Sequence, residues 1–312
     1  MLPTETPPDW RMVEVSVPSP PGRLPGITMA GFRQRVPAFV NIAMVAHPSL
    51  TVLFDLGDGE WTVCQADGRH ERGDVVVGLL PGDLRIAGSG AGACLQIRLG
   101  PVAAAAMLGA PADLSGTVVS LTDLWGTDAG RARDRLRCAP SWDERFTIAT
   151  EILGRQLGTR PPVEPEVAQA WRRTLISQGR ARVDNIAGEL GWSRKRLWSR
   201  FRSQLGITPK RAARLVRFDH AARLLAAGQP AASAAARSGY VDQSHLHREV
   251  KTFTGLTPAA VAAAPWLAID DVAWPAASSA VNPPAVPARA TGRPPGSGSR
   301  RPACGRSNRP AI

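Results

Sequence analysis

The sequence predicts an α+β chain: a β-rich N-terminal half, an all-α C-terminal domain and a disordered tail. Three observations carry this. Between residues 36 and 100, short β-branched and apolar runs alternate with Gly/Asp turns, the signature of antiparallel strands. Between residues 183 and 261, apolar residues recur at helical spacing in two similar blocks. From residue 270 onward Pro, Ala, Gly, Ser and Arg dominate without periodicity.

Taken in order, residues 1–27 hold many prolines and little pattern, and read as a loose lead-in. Residues 28–160 form a β-rich domain with helices. Its strands are Leu50–Leu56, Trp61–Cys64, Val75–Leu80 and Cys94–Leu99, divided by turns such as Gly57-Asp58-Gly59 and Pro81-Gly82-Asp83. Helical patterns follow at Pro101–Leu108, Asp128–Arg137 and Trp142–Leu157, the last with Phe146, Ile148, Ile152 and Leu153 on one face. Residues 161–165, reached through Arg160, are Pro161-Pro162-Val163-Glu164-Pro165. Proline cannot continue a helix, so this is the clearest internal boundary. Residues 166–263 make the helical domain. Residues 270–312 lack the apolar content to bury a core and are expected to be disordered.

Length and charge narrow the function. The 312 residues suffice for two domains. The formal net charge is +12, and the only lysines are Lys195, Lys210 and Lys251. Arginine-rich coding alone would spread this charge evenly. Instead, Thr28–Pro165 holds 13 basic and 15 acidic side chains, whereas Arg172–Pro258 holds 17 basic and 5 acidic. An anionic partner, nucleic acid or membrane surface, is therefore indicated for the helical domain. Met1–Asp9 is acidic and Pro-rich, and no run approaches the roughly 18 apolar residues of a membrane span, so a soluble intracellular protein is expected. Cys64, Cys94, Cys138 and Cys304 are far apart and form no CxxC pair, which argues against a zinc site or disulfide framework.

The helical domain carries a duplicated pattern. Val183, Ile186, Ala187 and Leu190 lie on one face of a short helix that Gly191 ends. Ser193 caps a second helix from Arg194 to Leu205, with Leu197, Phe201 and Leu205 spaced by four. A helix, a glycine-bearing turn and a capped second helix form a helix-turn-helix pattern. Opposite the apolar stripe stand Lys195, Trp198, Ser199 and Arg202, a donor-rich face of the kind that reaches base edges in a major groove. Thr208 caps the next helix, with Pro209 at its first position, and this helix runs to Gly228-Gln229-Pro230. The first pattern then returns. Ala231–Ser238 is a short helix and Gly239-Tyr240 its turn. Asp242 or Val241 begins a second capped helix, Gln243–Thr254, with Leu246, Val250 and Phe253 inward. Gln243, Ser244, His247, Arg248 and Lys251 face out, and Gly255-Leu256-Thr257-Pro258 repeats Gly206-Ile207-Thr208-Pro209.

Residues 183–261 resemble the AraC/XylS-type DNA-binding domain. The resemblance rests on Ile186-Ala187, Leu190-Gly191, Ser193, Leu197, Phe201, Gly206-Ile207-Thr208-Pro209, Arg217, Ala221, Leu224-Leu225, Gly239-Tyr240, Asp242-Gln243-Ser244-His245-Leu246, Gly255 and Thr257-Pro258. It implies a transcription regulator of promoter DNA, often an activator touching RNA polymerase, resident in the cytoplasm on the nucleoid. The residues assigned to DNA are Arg194, Lys195, Trp198, Ser199 and Arg202 in the first unit. In the second they are Gln243, Ser244, His247, Arg248 and Lys251, and the caps are Ser193, Thr208 and Asp242. Arg217 and Arg223 fit either a structural ion pair or a phosphate contact, and His247 either a base contact or an idle surface position. Ala232 and Ala235 stand where the family has bulky aliphatics, and Val250 where phenylalanine is usual, so the second unit is expected to pack less firmly and to add less affinity.

Upstream, Ser49–Leu56, Gln96–Gly100, Leu108-Gly109-Ala110-Pro111 and Val119–Leu124 resemble the sensory half of one branch of these regulators. That resemblance implies a small cupin-like barrel plus helices and a small-molecule effector of unspecified chemistry, with no cofactor. Two other readings compete. A cupin-like enzyme needs a metal set, yet His47 and His70 are 23 residues apart with no HxH motif. A DNA alkyl-acceptor needs a reactive thiol, for which Cys138 beside Arg137 is the only candidate, without the surrounding motif. Trp61, Trp125 and Trp142 read as core.

Overall fold

The computed structural model describes residues 13–19, 24–58, 60–65, 68–79, 84–109, 114–157, 160–263 and 273–274. The Pro81-Gly82-Asp83 turn, Cys304, much of 1–27 and all of 270–312 except Ala273 and Trp274 lie outside them.

The N-terminal half is built on an antiparallel sheet of β1 (Val13–Ser16), β2 (Ile27–Met44), β3 (Leu50–Asp55), β4 (Glu60–Gln65), β5 (His70–Arg72), β6 (Val75–Val77), β7 (Leu84–Leu99) and β8 (Val118–Ser120). Its order is β1-β2-β7-β3-β6-β8, with β4 and β5 branching from β7. β7 organises the sheet. One edge pairs along β2, while the other pairs first with β4, through Leu84–Ser89, and then with β3, through Cys94–Leu99. The apolar run Leu50–Phe54 is continuous because both of its faces are covered. Leu50, Val52 and Phe54 pack with Leu95, Ile97 and Leu99 under the helices, whereas Leu53 joins Val63, Val75, Val77, Leu84 and Val118 in a second cluster. The expected lead-in is shorter than the sequence implied: Val13–Ser16 pair with Gln34–Gly31, because β2 starts at Ile27 and offers an open edge.

Helices α1 (Pro101–Leu108), α2 (Leu121–Trp125), α3 (Thr127–Cys138) and α4 (Trp142–Gln156) cover the sheet. Ser141 caps α4 by accepting the Glu144 N–H at 3.2 Å. Gly31 is required where α4 meets β2, since a Cβ there stands 2.3 Å from the Trp142 ring.

The C-terminal half is α5 (Pro165–Ile176), α6 (Val183–Glu189), α7 (Arg194–Leu205), α8 (Pro209–Ala226), α9 (Ala231–Arg237), α10 (Gln243–Thr254) and α11 (Pro258–Ala262). The proline-rich boundary is no free hinge. Glu164 donates its backbone N–H to Gln204 Oε1 at 2.8 Å and pairs through its carboxylate with Arg200, both on α7. One apolar cluster runs through both halves, and α1 lies against α7.

A second junction falls inside the segment expected to be disordered. Ala273 and Trp274 are buried against Ala30, Val15 and Phe32 of β1 and β2. The Arg98 guanidinium of β7 lies 4.0 Å from the Trp274 ring centroid, and Arg223 of α8 donates to the Trp274 carbonyl at 3.1 Å. An indole with a cation over its face is a large apolar body that composition averaged over a proline-rich tail conceals.

Candidate nucleic-acid interface

In the first unit α6 turns Ile186 and Ala187 inward, and Gly191 takes the positive φ of 66° that the tight turn needs. Ser193 Oγ accepts the Arg196 N–H at 3.2 Å, starting α7. Leu197, Phe201 and Leu205 are fully buried. Arg194, Lys195, Trp198, Ser199 and Arg202 are all exposed, so the structure brings the predicted set onto one solvent face. Two of them are already engaged: Arg194 lies 3.4 Å from Asp184, and the Arg202 guanidinium sits 5.2 Å from the Trp198 ring centroid.

Thr208 Oγ1 accepts the Arg211 N–H at 3.3 Å and starts α8, whose 18 residues span about 27 Å at 1.5 Å per residue. This helix is the spine between the units. Its two uncertain arginines both serve the fold. Arg217 donates to the Gly179 carbonyl at 3.2 Å and faces the Tyr240 ring at 5.6 Å. Arg223 pairs with Asp219 at 3.2 Å and holds Trp274.

The second unit repeats the first with different side chains. Asp242, not Val241, is the cap: its Oδ1 accepts the His245 N–H at 2.7 Å. Leu246, Val250 and Phe253 point inward, while Gln243, Ser244, His247, Arg248 and Lys251 are exposed together. On the support helix α9, Ala234 and Ala235 are buried. Ala232, which with Ala235 stands where the family has bulky aliphatics, is exposed, and the inward stripe falls at Ala231, Ala234 and Ala235.

Several contacts that hold the second unit escaped the sequence reading. Glu249 is buried on α10 and meets Arg214 of α8 at 2.8 Å, and Phe253 packs on Phe218 with centroids 4.7 Å apart. The Tyr240 hydroxyl is buried, and burial raises its pKa. His220 Nδ1 shares a hydrogen bond of 3.1 Å with Ser238 Oγ; burial first, then Arg180, holds its pKa below the usual imidazole value. These contacts join residues 18 to 35 apart, and no local period announces them.

A duplicated helix-turn-helix on one spine, with an exposed face on each reading helix that carries Arg and Lys among polar side chains, defines a DNA-binding domain of transcription regulators. The family model described as a helix-turn-helix domain matches residues 186–264. Among solved structures, the chain is similar to ToxT from Vibrio cholerae O395, at 10% identity over 75% of this chain and 96% of that one, with a TM-score of 0.41. It is also similar to the C-terminal domain of AraT, a response regulator from Geobacillus stearothermophilus, at 25% identity over 32% of this chain and 86% of that one, with a TM-score of 0.31. A third is the AraC-like transcriptional activator CuxR, at 16% identity over 61% of this chain and 80% of that one, with a TM-score of 0.24. No curated protein matches the chain.

Among the described residues, no helix is long and apolar enough to cross a membrane, and no three His, Cys, Asp or Glu side chains gather as a metal site. His47 instead shares a 3.1 Å hydrogen bond with Thr51 Oγ1, and His70 is exposed on β5.

Proposed function

We propose that the protein activates transcription by laying α7 and α10 in successive major grooves of promoter DNA. The observation that carries this reading is the pair of exposed faces opposite buried apolar stripes: Arg194, Lys195, Trp198, Ser199 and Arg202, and Gln243, Ser244, His247, Arg248 and Lys251. The spine α8 that joins them is about 27 Å long, against about 34 Å between successive major grooves. Arg202 and Arg248 suit guanine O6/N7, and Gln243 suits adenine. Contact with RNA polymerase, residence on the nucleoid and an effector taken up by the sheet-bearing half belong to this reading. The route for such an effector is the direct packing of that half on α7 and its grip on α8 through Trp274.

Genome-wide mapping of bound DNA followed by footprinting tests it. Two protected segments one helical turn apart are expected, with affinity falling steeply as salt rises. Arg202→Ala and Arg248→Ala should each weaken specific binding by about 1–3 kcal/mol. Unchanged operator binding in both variants overturns the assignment. In vitro transcription from the footprinted promoter should rise on adding the protein.

A further inference from the structure

Between residues 183 and 263 the large apolar side chains are buried or half-buried, with two exceptions. Trp198 is 46% exposed and Val241 is 88% exposed. Both stand on the candidate DNA face. Trp198 projects from α7 among Lys195, Ser199 and Arg202. Val241 directly precedes Asp242, the cap from which Gln243 and Ser244 begin α10.

The two turns explain how Val241 comes to be there. In the first unit Gly191 is followed by Trp192 and then the cap Ser193. In the second, Gly239 and Tyr240 are followed by Val241 before the cap Asp242. The second turn is thus one residue longer. Tyr240 fills the buried site that Trp192 fills in the first, and the additional residue is pushed outward at the N-terminal end of the reading helix. That end is the part of a recognition helix that approaches base edges.

An apolar side chain displayed among cations needs a partner that is anionic overall yet offers an apolar point. The major groove supplies one such group, the 5-methyl of thymine. The arrangement on α7 suits this: Arg202 lies over the indole face, so the ring edge is left to meet the methyl while the guanidinium is held near it. A protein partner for Trp198 is disfavoured by the basic residues around it.

We infer that Trp198 and Val241 each read a thymine methyl, one in each half-site, so that the preferred sequence carries a required thymine opposite each reading helix. This rests on the DNA-binding reading above. The test uses the full chain and the strongest footprinted duplex, replacing each thymine singly by uracil, which removes only the methyl. Wild-type protein should lose about fourfold in affinity at one thymine in each half-site, the worth of one buried methyl group. Trp198→Ala should abolish the uracil response in the first half-site alone, and Val241→Ala in the second alone. Both positions are exposed, and circular dichroism should show unchanged helix content. Indifference to every uracil in a site that is otherwise protected overturns this inference and leaves the DNA-binding reading standing. So does an undiminished uracil response in both variants, which assigns the methyl contacts elsewhere. Absence of any protected site overturns both.

Discussion

The two helix-turn-helix units reach the same backbone design by different chemistry. In the first, Ile186 on the support helix and Phe201 on the reading helix fill the interior, the sheet-bearing half adds support through α1, and the proline-rich boundary does so through Glu164 on Arg200. In the second, the corresponding positions are Ala234 and Val250, and the missing volume is replaced by ties to the spine: Phe253 on Phe218, Arg214 on Glu249, and His220 on Ser238. Small residues on a support helix therefore do not imply a loose unit. They leave the work of fixing α10 to aromatic and charged groups shared with the spine.

The comparison can be broken at its strongest points first. Phe201→Ala removes a wholly buried ring and should cost about 4 kcal/mol in denaturant unfolding, with loss of both halves of the footprint. Glu249→Ala leaves the Arg214 cation facing a buried gap. Because Arg214 is partly solvated, the cost should be about 2 kcal/mol, below the usual range for a buried pair, and protection should fade over the second half-site first. Ala234→Ile copies the first unit into the second. If the second is as tightly packed as its buried alanines indicate, this overpacks it by about 1–2 kcal/mol; a stabilised variant would show a looser interior. Ser193→Ala and Asp242→Ala should each cost about 1 kcal/mol, measured by thermal melting.

The gentlest test is acidity. The fold holds His220 below its ordinary pKa, so it favours the neutral imidazole. That contribution is complete above the unfolded value near 6.5 and is lost as pH falls below it. Hydrogen exchange should therefore quicken in α9 and α10 on acidification, and more than in α6 and α7. Equal quickening in both units would show that the His220–Ser238 tie is not what distinguishes them.

What was legible in the sequence follows from the range of the forces involved. Glycines at the turns, caps at Ser193, Thr208 and Asp242, and stripes spaced by three and four are all local, and each appears where expected. The outward faces followed because a helix has only one side left once its stripe is buried. Contacts across long separations stayed hidden. Glu249 looks like any surface acid until α8 brings Arg214 to it, Val13–Ser16 look structureless until β2 offers an edge, and Trp274 is one apolar residue among prolines.

Trp274 also has a kinematic consequence. The helical half meets the sheet-bearing half where α1 lies on α7, and again where Trp274 is gripped by Arg98 on one side and Arg223 on the other. While Trp274 is seated, any turn of the helical half against the sheet must break the Arg98 and Arg223 contacts together with the packing of α1 on α7.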